Sequence, residues 1–84
     1  MRRTGKSKQD ELWLKAVGQR IGELIKKKGF ASPYDFWVQK IGDEISRATL
    51  NYIISGQSDP KATTLRVIAR ALGVEVSDLL KVSY

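Results

Sequence analysis

Two side chains near the middle of the chain are well suited to specific polar recognition. Arg47 and Asn51 are four residues apart, so a helix would place both along one side. A guanidinium and a carboxamide each hold hydrogen-bonding atoms in a plane, and each can therefore form two bonds to one planar partner. Ala48, Tyr52 and Ser55 share the side of Asn51, and Arg47 stands at its edge. The pattern alone favours the simpler interpretation, in which these residues form a solvent-exposed helix face.

The residue types missing from the chain argue against an enzyme. Without cysteine there is no disulfide, no thiol nucleophile and no cysteine-based zinc site. Without histidine the chain lacks the commonest metal ligand and the usual general base. Carboxylates remain, but no other feature of the sequence supports an active site. We therefore expect no catalytic residues, no metal and no cofactor.

Length and charge narrow the remaining classes of function. Eighty-four residues suffice for one small core in one domain. Fifteen lysines and arginines against nine aspartates and glutamates give a net charge of +6, and the pI is near 9.8. A domain this basic is typical of nucleic-acid binding, although many basic proteins bind no specific anion. No apolar run approaches the roughly 18 residues of a membrane span, and no signal-peptide core follows Met1, so we expect a cytoplasmic protein without membrane association.

Residues 1–9 are predicted to form a basic, disordered tail. This segment has no large apolar residue after Met1 and therefore cannot bury itself. A solvated tail is the simpler interpretation. The alternative is a basic arm that touches a phosphate backbone or reaches into a minor groove. The residues of such an arm are Arg2, Arg3, Lys6 and Lys8.

Apolar residues that recur at spacings of three and four predict five helices and no strand over 10–84. Their expected bounds are about 10–28, 32–41, 46–55, 61–72 and 76–81. Ser32 and Ser46 are natural N-caps, and Gly29 can take the left-handed conformation that ends a helix. The fold class is therefore an all-α bundle in a single domain.

The second half of the chain resembles a known family. Segment 45–57, ISRATLNYIISGQ, resembles the recognition helix of the lambda-repressor/Cro-like, or Xre-type, helix-turn-helix family. Segment 60–74, PKATTLRVIARALGV, is similar to the fourth helix of that family, and 77–80, SDLL, to its closing helix. The resemblance implies a five-helix lambda-repressor-like domain that binds double-stranded DNA with helix 46–55 in the major groove.

The same resemblance assigns roles to single residues. It implies that one group of side chains reads bases, with Arg47 on guanine and Asn51 on adenine. The base-reading residues are Arg47, Ala48, Asn51 and Tyr52. A second group is expected to lie near the DNA backbone. Its members are Tyr34, Ser46, Thr49, Ser55, Gln57 and Lys61.

The resemblance further implies a transcriptional regulator, most simply a repressor, in a bacterial or phage setting at the nucleoid. Helix-turn-helix domains usually bind as homodimers on half-sites roughly 34–36 Å apart. The surface that joins the two copies is not evident from the sequence. Candidate residues are Trp13, Val76, Leu80, Val82 and Tyr84.

The segment before Ser46 departs from the family. Val38 occupies the position, counted from Gly42, where the second helix usually carries a small residue to cross the recognition helix. The connector from Gly42 to Ser46 is about two residues longer than usual. We expect Trp37 to be part of the core.

These departures keep other functions open. One is a protein–protein adaptor, or an antitoxin-type protein that binds a partner, on the same fold. Another is a nonspecific nucleic-acid binder that acts through its tail and lysines. It would show a steep salt dependence without base preference.

Overall fold

The computed structural model describes residues 7–83. This part of the chain contains five α-helices and no strand. A π-helical turn, Trp37–Ile41, continues the second helix. The helix bounds are Lys8–Lys27 for α1, Pro33–Phe36 for α2, Arg47–Ile54 for α3, Ala62–Leu72 for α4 and Val76–Leu79 for α5. The expected all-α fold with five helices is confirmed.

Serine hydroxyls set the start of the first three helices. Each accepts the backbone N–H of the residue three positions on, which satisfies one of the unpaired donors at a helix N-terminus. The pairs are Ser7 with Asp10 at 3.1 Å, Ser32 with Asp35 at 3.1 Å and Ser46 with Thr49 at 3.0 Å. The predicted caps at Ser32 and Ser46 are therefore confirmed.

The Ser7 cap was not anticipated, and it moves the start of α1. The helix begins at Lys8, two residues before the predicted start at Asp10. Lys8 thus lies in the first turn of α1 with an exposed side chain, and not in a flexible tail. The other residues of the predicted arm lie outside the described residues. They are Arg2, Arg3 and Lys6.

The core is apolar and draws on all five helices and the π-helical turn. None of the described polar or charged residues is buried. The most deeply buried large side chains are Ile21, Ile25, Phe36, Ile41, Leu50, Ile53, Ile68 and Leu79. Each of the longer helices contributes one apolar stripe, so its other side must face water. Leu50 and Ile53 fix that orientation for α3.

A close backbone approach attaches α3 to α1. A Cβ atom at Gly18 would meet the backbone carbonyl groups of Ile53 and Ile54, so only glycine fits between the two helices as they stand. Gly56, just after α3, has φ of +78° and packs against Lys15 of α1. Two glycines therefore fix the distance between α1 and the end of α3.

Gly18→Ala should lower the free energy of unfolding by about 1–3 kcal/mol, since the new methyl group would push α3 away from α1. Gly22→Ala is the matched control one turn later in α1. There a Cβ would lie 3.7 Å from the Ile54 side chain, at ordinary contact distance. This variant should be neutral or about 0.5–1 kcal/mol more stable, because alanine favours the helix. Urea denaturation measures both, and equal effects would contradict the close approach.

Candidate nucleic-acid interface

The exposed side of α3 carries the four residues that the sequence predicts to lie there. Ala48, Asn51, Tyr52 and Ser55 are all exposed, opposite the buried Leu50 and Ile53. Arg47 is also exposed and stands at the edge of this face as the first residue of the helix. We call these five residues the α3 face. They are Arg47, Ala48, Asn51, Tyr52 and Ser55.

The α3 face bears no negative charge. Helix α3 contains no acidic residue, and within the described residues no carboxylate forms an ion pair with Arg47. Glu44, in the preceding connector, is paired with Arg70 of α4 at 3.0 Å. The face is therefore compatible with a polyanion, and its N-terminal end adds the positive end of the helix dipole.

Thr49 lies away from the α3 face. It is half-buried and lines an open cleft between the connector and the loop before α4, together with Ile45 and Pro60. The Ser46 hydroxyl accepts the Thr49 N–H and donates to Thr49 Oγ1 at 2.8 Å. The two side chains thus form a closed cap at the start of α3.

Residues that flank α3 are exposed around its two ends. Ser55 donates a hydrogen bond to the carbonyl oxygen of Tyr52 at 3.2 Å, while Gln57 and Lys61 extend from the loop that leads to α4. Tyr34 is 50% exposed near the start of α2. These residues lie around α3, and their contacts with a DNA backbone stay a prediction.

The connector between the π-helical turn and α3 is held at several points. The N–H groups of Glu44 and Ile45 both donate to the carbonyl oxygen of Ile41, at 2.9 and 3.1 Å. The indole Nε1 of Trp37 donates to the carbonyl oxygen of Ile45 at 2.8 Å. Because Ile45 directly precedes the Ser46 cap, the Trp37 bond fixes the point at which α3 begins. The connector is thereby an ordered part of the fold.

The π-helical turn corrects two expectations about α2. Val38 is 53% exposed and does not lie between the helices, because the turn shifts the register of the residues around it. Trp37 is half-buried at the edge of the core and contacts the connector. The family pattern, counted from Gly42, identifies Val38 as the crossing residue, and a π-helical turn between the two puts that position out of register.

An aromatic stack joins α2 to α3. The Tyr34 ring lies 5.9 Å from that of Trp37 between centroids, with an angle of 31° between the planes. The guanidinium carbon of Arg47 lies 4.4 Å from the centroid of the Tyr34 ring. The three side chains therefore form a continuous stack, Trp37–Tyr34–Arg47. The spacing of Tyr34 and Trp37 on one helix could have indicated the aromatic contact, but no sequence signal pairs Tyr34 with Arg47.

Hydrogen bonds at the start of α2 hold the helix that carries this stack. The Asp35 carboxylate accepts the backbone N–H of Ala31 at 3.0 Å and the side-chain amide of Gln39 at 2.8 Å. These bonds hold the pKa of Asp35 below its ordinary value of 3.8, and the bond from the Ala31 N–H has the larger effect. The charged form of Asp35 thus favours the folded start of α2.

The residues considered for a dimer surface are mostly packed against the core. The four that the structure describes are all half-buried. These residues are Trp13, Val76, Leu80 and Val82, while Tyr84 lies outside the described residues. Within 7–83, no cluster of three or more potential metal ligands is found, and none of the helices described is long and apolar enough to cross a membrane.

Comparison with known proteins gives one match. Residues 39–79 match the family model described as Helix-turn-helix, and the match covers about half of the chain. It includes the end of the π-helical turn, the connector and helices α3 to α5. No curated protein and no solved structure matches the chain significantly.

Trp37→Phe should cost about 0.5–1.5 kcal/mol more in free energy of unfolding than Trp13→Phe, because only Trp37 loses a hydrogen bond to the connector. Both variants exchange a half-buried indole for a smaller ring, so the control removes the packing contribution. Urea denaturation gives both values. Equal losses would show that the Trp37 bond does not hold the connector.

The Asp35 carboxylate should make stability depend on acid pH. A lowered pKa means that its contribution is present above the ordinary value of 3.8 and is lost as the pH falls through the pKa of the folded state. The melting temperature of Asp35→Asn should therefore be lower than that of the wild type at pH 6, and the gap should close below pH 3.8. Asp43→Asn, in the exposed connector, controls for net charge. A gap that stays constant with pH would contradict this role.

Proposed function

We propose that this chain is a sequence-specific transcriptional regulator that acts as a repressor. Through residues 39–79 it belongs to the lambda-repressor-like helix-turn-helix family of DNA-binding domains. The observation that carries the proposal is the α3 face. Its polar side chains are exposed, and α3 has no acidic residue. The residue types on this face suit the edges of base pairs.

In the proposed complex, α3 enters the major groove with its N-terminal end leading. Arg47 pairs with O6 and N7 of guanine, and Asn51 with N6 and N7 of adenine. Ala48 packs on a thymine methyl group, and Tyr52 contacts an adjacent base. These roles require side chains that are exposed in the free protein, and all four are.

Phosphate contacts would fix the register of α3 in the groove without reading sequence. Residues at both ends of α3 supply them in this proposal, with further contacts from the basic arm. The proposed backbone group is Ser46, Thr49, Ser55, Gln57 and Lys61, and the arm is Arg2, Arg3 and Lys6, with Lys8 beside it in the first turn of α1. The family resemblance implies a backbone contact of Tyr34 as well. Because Thr49 is half-buried, we expect it to contribute least to these contacts.

We further propose that two copies bind one pseudo-palindromic site. A single small domain covers little DNA surface, and a second copy one helical turn away, roughly 34–36 Å, would double the contact. A regulator of this kind acts on bacterial or phage DNA in the cytoplasm, at the nucleoid. The proposed function involves no catalysis and no cofactor.

Selection from random duplex DNA at near-physiological salt tests the proposal directly. Sequencing of the retained DNA should show an inverted repeat with half-sites about one turn apart. Retention without a motif would contradict sequence-specific regulation and would favour nonspecific binding through basic residues. No retention would also contradict it and would favour the adaptor or antitoxin-type function, with a protein as the partner.

Arg47→Ala and Asn51→Ala should each weaken binding to the selected site by about 1–3 kcal/mol while binding to unrelated duplex changes little. Arg66→Ala is the matched control, because it removes the same charge from an exposed position on α4. This control should affect selected and unrelated DNA alike. Fluorescence anisotropy with both duplexes measures the difference. An equal loss on both for Arg47→Ala and Asn51→Ala would contradict base reading by α3.

A further inference from the structure

The Trp37–Tyr34–Arg47 stack brings the first side chain of α3, Arg47, into contact with Tyr34 of α2. Arg47 is exposed, and its guanidinium carbon lies 4.4 Å from the centroid of the Tyr34 ring. This distance is within the range of a cation–π interaction. An exposed arginine otherwise samples many rotamers, and ordering them on binding has an entropic cost. Contact with the Tyr34 ring restricts that freedom before any ligand arrives.

The contact with Tyr34 is compatible with a bidentate role of Arg47. A guanidinium stacks through its flat faces, whereas its N–H groups point outward in its plane. A guanidinium that stacks in this way would keep its in-plane donors available for a bidentate partner. No carboxylate of the described residues takes up those donors through an ion pair. Arg47 could therefore donate to O6 and N7 of guanine while its guanidinium stays in contact with the Tyr34 ring.

The stack is attached to the backbone at its far end. Trp37, which follows Tyr34 in the stack, donates from Nε1 to the carbonyl oxygen of Ile45 at 2.8 Å. Ile45 is two residues before Arg47, so the stack and the connector form a closed loop of contacts. The Tyr34 ring consequently has a fixed position relative to the start of α3.

We infer that Tyr34 is a positioning residue whose ring orients Arg47 and thereby sets the preference for guanine at one base pair of the site. This inference rests on the proposed function and deepens it. It assigns the role to the ring, whereas a phosphate contact of the kind implied by the family resemblance would use the hydroxyl. The two assignments predict different behaviour for Tyr34→Phe.

The free protein allows a first test without DNA. Side-chain protons of Arg47 that lie over the Tyr34 ring should show upfield ring-current shifts in NMR spectra. Tyr34→Phe should keep these shifts, since the ring remains, and Tyr34→Leu should abolish them. Absence of the shifts in the wild type would overturn the inference, whatever DNA the protein binds.

The second test measures base discrimination. The base pair to vary is the one at which the Arg47→Ala protein no longer prefers guanine. Four versions of the selected duplex carry the four possible base pairs there. For each protein variant, the Kd on the guanine duplex is compared, as a ratio, with the Kd on the other three. Tyr34→Leu should reduce that ratio about two- to fivefold, the size of an exposed cation–π contact. Tyr34→Phe should stay close to the wild type, and Tyr34→Leu should have no further effect on the ratio in an Arg47→Ala background.

Val38→Ala serves as the control, because Val38 is 53% exposed on the π-helical turn and belongs to neither the stack nor the α3 face. It should leave the ratio unchanged. A Tyr34→Leu variant with the full ratio would overturn the inference while the proposed function stands. An equal loss of affinity on all four duplexes in Tyr34→Phe and Tyr34→Leu would also overturn it, in favour of a hydroxyl–phosphate contact. Lack of any base preference in the wild type would instead contradict the proposed function itself.

Discussion

The packing of α3 on α1 determines which residues of this small domain can reach a partner. Leu50 and Ile53 are almost completely buried, and Gly18 lets the backbone of α1 contact the end of α3. An α-helix that buries one narrow stripe must expose the opposite side. The exposure of Asn51 and Tyr52 is therefore a consequence of where the apolar residues stand. The core thus fixes the orientation of the surface that we propose to read DNA.

The connector before α3 adds a second constraint. A flexible connector would leave the start of α3 poorly fixed. The bond from Trp37 to Ile45 and the Ser46 cap hold it on either side of the helix start. The ion pair between Glu44 and Arg70 is exposed and contributes little by comparison. Order in this segment therefore depends on these two side-chain bonds together with the two backbone bonds to the carbonyl oxygen of Ile41.

Local signals made much of the fold predictable from the sequence. The caps at Ser32 and Ser46 depend on the residue type at one position, and the exposed side of α3 follows from the spacing of Leu50 and Ile53. The earlier start of α1 has a local signal as well, because Ser7 stands three residues before Asp10. The charged residues around Ser7 led instead to the prediction of a disordered tail, so the capping signal of Ser7 was not used.

Other features depend on tertiary geometry and have no local signal. Val38 is exposed on a π-helical turn, and a position counted from Gly42 on the family pattern cannot predict such a turn. The contact between Tyr34 and Arg47 joins residues from two helices, so it depends on how α2 and α3 cross. Residue types identified both side chains as candidates for the site, but only the fold shows that they touch. The roles of individual residues on DNA stay predictions.

The most direct test of DNA recognition by α3 is an NMR titration of the isotope-labelled chain with its selected duplex. The account predicts that the largest amide and side-chain shifts fall on residues 46–55, with smaller shifts at Tyr34 and in the loop that follows α3. Shifts confined to the middle of α1 and to α5, with residues 46–55 unchanged, would contradict it. The protein would then bind DNA through another surface, and the polar side of α3 would be a solvated face.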